Sequence, residues 1–471
     1  MSSKDSLGPR LLGVIAVVLF GGLLGILNST MAAVAAGTLA RDFDTSLSTI
    51  GWTSTGFLLA VTATIPFTTW AVDRFGGKRL WLAGLLLFIA GSFGAGMAWN
   101  VGSLIAFRVL QGIGAGLLDP LVLILLARAA GPRRAGRVMG LMGVVLSLGP
   151  VLGPIAGGAV LASLPWRWMF LLSVPFGAVA YLLARRVIPA DGRGEPQEAG
   201  LDVLGLALLG PGFGAVVLAL SQTAEHGTVA AWQPLLPLGV GAALLLGYGI
   251  HARRRAEPLI DLRLFANRGF SASVTIMGLG GLSLFAALFA LPLYYQQVHG
   301  HGVFAAGLLM APIGLGGAVA MPLAGRMSDR IGARGLATGG AIVAALSTLA
   351  LTRVGPDTPE MWPALAAFAL GLGSGCFSAP TMGSLYRTLP GPMVAQGSSV
   401  LYMLNQLGAA LGVALVTLIL QTAEGPVAGF HGVAWFSFAV IVIVLAAIPL
   451  LPGRPQAPAE QYVPDQMART S

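Results

Sequence analysis

Charge is scarce in this chain. Of its 471 residues only 10% are Asp, Glu, Lys or Arg, where a soluble domain carries about 25%. The polar surface that soluble domains of this total length require is therefore missing. Lysine is almost absent, occurring only at Lys4 and Lys78. Neither lies in a Gly-x-x-x-x-Gly-Lys-Ser/Thr loop, which argues against a pump driven by nucleotide hydrolysis. Cysteine occurs once, at Cys376. That excludes an intrachain disulfide and a cysteine-based metal site. The apolar stretches hold almost no His, Asp or Glu, so a membrane-embedded acyl or glycosyl transferase lacks its acids and bases. His299 and His301 are only a pair, too few to define a metal site. We expect no enzyme, no cofactor and no metal.

What the chain has is apolar length. It is 56% hydrophobic, with a mean hydropathy of +0.82. A bilayer-crossing helix needs about 20 apolar residues, and about fourteen such segments run from 11–36 to 431–451. They are too long and unbroken for barrel strands. Backbone groups in lipid must be satisfied internally, so the segments are helices. Lys4 and Arg10 followed by an apolar run resemble a signal peptide, but many spans follow, so the first span is expected to remain uncleaved.

The net charge of +9 has a location. Arg74, Lys78, Arg79, Arg128, Arg133, Arg134, Arg137, Arg185, Arg186, Arg193, Arg253, Arg254, Arg255, Arg263, Arg268, Arg326, Arg330, Arg334 and Arg387 fall on alternate connections. The other connections hold only Arg41, Arg167 and Arg353. This bias places both termini in the cytoplasm. It also accounts for the basic balance without a nucleic-acid partner.

Two polar breaks divide the chain, "PADGRGEPQEAG" from Pro189 and "HARRRAEPLIDLRLFANRG" from His251. They mark out a first six-span block (1–188), two extra spans with flanking loops (189–269), a second six-span block (270–451) and a disordered tail (452–471). The blocks repeat each other. "PFTTWAVDRFGGKR" from Pro66 aligns with "PLAGRMSDRIGAR" from Pro322, each between the second and third spans of its block. Internal repeats of this kind build many secondary transporters. Asp73 and Asp329 stand where a helix ends, and Gly76 and Gly332 permit a sharp turn. With Arg74 and Arg330 they form either a latch between the blocks, the carboxylate meeting the positive N-terminal end of a neighbouring helix or an Arg across the halves, or a loop that only sets topology.

The repeated loop resembles the signature loop of the major facilitator superfamily, Gly-x-x-x-Asp-Arg-x-Gly-Arg-Lys/Arg. The first copy departs from it, with Thr69 at the leading Gly and Gly77 at the usual Arg. "RVLQGIGAG" from Arg108 is similar to the superfamily's fourth-span motif, whose Arg the resemblance associates with proton coupling. A snorkelling Arg near the outer end of the span is the alternative. The fifth span carries Gly140, Gly149, Gly153, Pro154, Gly157 and Gly158, similar to the antiporter motif of the exporters. Glycines spaced by four allow close helix contact, Pro154 bends the helix, and such a helix is a sliding or rocking surface.

"WRWMFLLSVPFG", "EPLIDLRLFANRGF" and "SSVLYMLNQLGAALGVAL" extend the resemblance to the fourteen-span drug:proton antiporters. It implies a fold of two six-helix bundles plus two extra helices. It also implies proton-driven export of amphipathic drugs or secondary metabolites; we expect a monomer in the inner or plasma membrane. That family has an acid in its first span where this chain has Asn28, and Ala33 where a later Asn is usual. An uncoupled facilitator of a neutral or anionic solute therefore stays open. Asp119, eleven residues after Arg108 and so about three turns along the same helix, is the substitute protonatable site. Its alternative is a structural Asp near the inner end of the fourth span. Asn28, Gln111, Tyr294, Gln297, Tyr402, Asn405 and Gln406 either line a substrate cavity or bond helix to helix.

Overall fold

A computed structural model describes residues 8–131, 134–190, 200–390 and 393–452. The tail from Arg454, the segment 191–199, and the basic residues Lys4, Arg133 and Arg193 lie outside them. The first block comprises α1 (Pro9–Val34), α2 (Ala36–Asp42), α3 (Leu47–Phe75), α4 (Gly77–Gly96), α5 (Val101–Ala130), α6 (Ala135–Ser163), α7 (Trp168–Leu171) and α8 (Ser173–Val187). An added hairpin follows, α9 (Val203–His226) and α10 (Trp232–Arg254). The second block comprises α11 (Arg268–Gln297), α12 (Val303–Leu308), α13 (Ala311–Ile331), α14 (Arg334–Leu351), α15 (Met361–Thr388), α16 (Val394–Thr422) and α17 (Pro426–Ala447). Among the described residues fourteen segments are long and apolar enough to cross a bilayer, with α7 and α8 sharing one and α12 and α13 another.

The helix ends follow local chemistry. Ser46, Asn100, Asp202 and Asn267 cap α3, α5, α9 and α11 with side-chain oxygens. Gly76 (φ 86°) and Gly332 (φ 92°) stop α3 and α13, a backbone state that side-chain-bearing residues rarely adopt. The two copies of the charged loop thus turn in the same way, as the repeat predicts.

Each block packs on itself: α5 against α3 and α4 in the first, α15 against α13 and α14 in the second. Two seams join the blocks. In one, α6 lies along α13; in the other, α16 approaches α3. These seams are equivalent by the repeat, each pairing the fifth span of one block with the second of the other. They are filled differently. The α6–α13 seam is backbone against backbone: a Cβ on Gly140 would stand 2.5 Å from the Met321 carbonyl oxygen, and one on Gly325 would strike that of Gly136. The α3–α16 seam admits α9, which packs against both helices.

The hairpin is fastened at the basic end. Asp202, 2% exposed, accepts from the Gly205 N–H (2.9 Å), the Leu259 N–H (3.2 Å) and the His251 ring (2.8 Å). Burial alone would push its carboxyl up. The donors, Gly205 and His251 foremost, outweigh that and hold it below the ordinary carboxylate value. A folded-state value below the unfolded one stabilises at neutral pH, and that contribution is lost only as pH falls through the folded value. Asp202→Asn is expected to cost about 1.5–3 kcal/mol at pH 7. Thermal unfolding in detergent should show the difference shrinking once the pH drops below the carboxylate range.

Candidate functional site

Two polar centres lie inside the bundle, and they are separate. The first is built on Arg108 of α5, which is 0% exposed. Its Nε donates to the Thr53 carbonyl (3.2 Å), and Nη1 donates to Asn28 Oδ1 (2.9 Å) and Gln111 Oε1 (2.6 Å). Asn28 Nδ2 donates to Ser173 Oγ (2.9 Å), and Gln111 Nε2 to Ser92 Oγ (2.6 Å). The guanidinium lies 4.2 Å from the Phe57 ring centroid. Hydrogen bonds and an aromatic face thus stabilise the buried charge. No described carboxylate pairs with it.

The second centre is a pair of adjoining cavities. The larger, about 350 Å³, is lined from the first block by α1, α3, α5 and α6, from the hairpin by α9, and from the second block by α11 and α16. The smaller, about 160 Å³, lies between α1, α5 and α6 on one side and α11, α13, α15 and α16 on the other. Asp119 and Gln406 line both. Among the described residues Asp119 forms no ion pair. Tyr402 and Asn405 line the smaller cavity.

The remaining polar candidates are elsewhere. Asn28 and Gln111 line neither cavity, because both are turned onto Arg108. Tyr294 sits at the far end of α11, where its hydroxyl meets the His299 ring (2.8 Å) and the Gly355 carbonyl (3.0 Å). Gln297 is exposed at the same end. Ser29, Thr30 and Ser221 line the larger cavity and were missed, since a lone hydroxyl in an apolar span carries no distinguishing pattern.

The two loop aspartates also differ. Asp329 joins the blocks: Oδ1 accepts from the Gly136 N–H (3.0 Å) and Arg387 (2.8 Å), and Oδ2 from the Arg137 N–H (2.9 Å). A carboxylate thus sits on the positive N-terminal end of α6. Asp73 instead pairs with Arg128 of its own block at 3.0 Å, with 37% and 42% of the two side chains exposed. Such a pair is worth little. The cross-block contact here is Thr69, at the leading-glycine position, donating to Ser399 Oγ (2.7 Å). Arg74 and Arg330 are exposed. Of the α6 glycines, Gly140 faces α13, whereas Gly149, Gly153 and Gly157 face α1 of their own block. The four-residue stripe is thus a packing surface within one block, and Gly158 meets Phe304.

Residues 18–413 match the profile of the Major Facilitator Superfamily. The chain belongs to this superfamily. Among major facilitator proteins it is 37% identical over 424 residues to a multidrug resistance protein B homolog of Mycobacterium tuberculosis, covering 89% of this chain and 78% of that one. It is 31% identical over 401 residues to the multidrug export protein EmrB of Haemophilus influenzae, covering 85% and 78%. The solved major facilitator proton:xylose symporter XylE superposes with a TM-score of 0.68 at 15% identity, over 94% of this chain and 96% of that one. At that identity the likeness concerns the fold alone. The chain is therefore a multi-pass membrane transporter, built as two six-helix bundles with two added helices.

Proposed function

We propose that this transporter exports amphipathic small molecules in exchange for protons, alternating access between the two blocks, with Asp119 as the proton site. The observation that carries this reading is the position of Asp119. It is a carboxylate free of any described ion pair, in a span, at the junction of two cavities between the blocks. An acid inside a membrane span is costly unless it faces a cavity and carries function. The lining around it is largely apolar, which suits an amphipathic substrate. The relatives named for multidrug resistance and export support the same substrate class.

The basic connections orient both termini to the cytoplasm of the inner or plasma membrane. Asp329 on the α6 N-terminus then latches the cytoplasmic side, and Arg108 holds the first and second spans of the first block against the fourth directly, and the third and sixth through Gln111 and Asn28. Domain limits at 188, 269 and 451 follow the same division, and a monomer suffices for the mechanism. Uncoupled facilitation is the second reading. It is favoured by Asn28, an amide that accepts from Arg108 and cannot carry a proton.

Purified protein in proteoliposomes with an acidic interior separates the two. Lipophilic dyes should release protons and accumulate against their gradient if the exchange reading holds. Dye movement without proton flux would leave facilitation.

A further inference from the structure

Helix α9 belongs to neither six-span block, yet it forms part of the larger cavity wall. Val217, Leu220, Ser221 and Ala224 line that cavity. Their spacing is one face of a single helix, so α9 turns a continuous stripe inward. On its other side lies α10, whose Trp232, Leu235, Leu236 and Leu246 are exposed on the outside of the bundle.

The placement follows from the unequal seams. Near the basic end α3 meets α16 directly, through Thr69 and Ser399. About 21 Å further along α3, Thr55 meets Ser221 of α9 instead, with 3.2 Å between their hydroxyl oxygens. Contact with α3 is close at Gly210 too, where a Cβ would stand 2.8 Å from the Ala63 carbonyl oxygen. On the other flank the end of α9 meets α16, with Gly227 against the Gln421 side chain. Among the described residues no helix intervenes in the equivalent α6–α13 seam. One wall of the larger cavity is therefore supplied by α9.

We infer that α9 is a substrate-contacting, specificity-determining wall, holding the apolar body of an amphipathic substrate while its polar group reaches Asp119. This rests on the export reading. Removing side-chain volume from the stripe widens the site and adding it narrows the site, so α9 sets the width of molecule accepted. The added hairpin is then part of the binding site and not a flange beside it.

The test uses the full chain in a Cys376→Ser background. Ser221→Cys is labelled with a lipophilic maleimide in proteoliposomes, with and without rhodamine 6G. Separately, Ala224→Phe is assayed for transport of ethidium and of the wider rhodamine 6G. The expected results are protection of Ser221→Cys by the dye, and a loss of rhodamine 6G transport about tenfold greater than that of ethidium. No protection by a dye that the protein transports, or an equal loss for both dyes, would overturn the inference. If no dye moves in wild type, the export reading falls, and protection at Ser221→Cys still decides whether α9 contacts the ligand.

Discussion

Asp119→Asn is expected to abolish substrate-driven proton release while labelled dye still crosses the membrane down its gradient. The amide keeps the shape of the side chain and a hydrogen-bonding capacity but cannot take up or give off a proton. No described ion pair is lost with the charge, so folding should survive. Proton flux should fall by roughly tenfold or more, equivalent to at least about 1.4 kcal/mol on the coupled step. Asn28→Ala supplies the contrast. It removes a partner of Arg108 and should lower thermal stability, because a buried guanidinium loses an acceptor. Coupled transport persisting unchanged in Asp119→Asn would remove Asp119 from the mechanism.

The second large effect is expected at the basic end. Asp329→Asn replaces a carboxylate that accepts from two N–H groups and Arg387, where Arg387 and Asp329 are only 16% and 14% exposed. Breaking one partner of such a pair costs about 3 kcal/mol, about two orders of magnitude in the equilibrium between the closed and open seam. Asp73→Asn removes a half-exposed pair within one block and should shift that equilibrium by less than about 1 kcal/mol. A cysteine at Ser328, which is 0% exposed, reports the difference. In a Cys376→Ser background, Ser328→Cys should react with a water-soluble maleimide far faster beside Asp329→Asn than beside Asp73→Asn. Equal rates would mean that the two loops are equivalent and that Asp329 is no latch.

The spans were legible in the sequence because lipid demands long apolar helices, and the block structure because "DRFGG" and "DRIGA" repeat. Which way each polar side chain points was not legible. These helices are apolar all round, so no polar face tells Asn28, turned onto Arg108, from Asn405, turned into a cavity. That a loop aspartate meets a helix N-terminus across the blocks was legible, but not which of the two does so or at which helix. Gly136 and Arg137 offer Asp329 backbone N–H groups, and backbone donors leave no mark on residue identity. Thr69 looked like a defect in a motif. In the fold it supplies the hydroxyl that joins α3 to α16.

The hairpin of α9 and α10 also bears on which additions between the blocks the fold can hold. Two crossings return the backbone to the face it left, so the second block runs in the same sense as the first. One crossing, or three, would have inverted it. Asp329 would then lie at the opposite face of the bilayer from Gly136 and Arg137, and the N-terminus of α6 would have no carboxylate to meet. A helix pair is thus the smallest membrane-spanning addition that keeps the contact between the blocks.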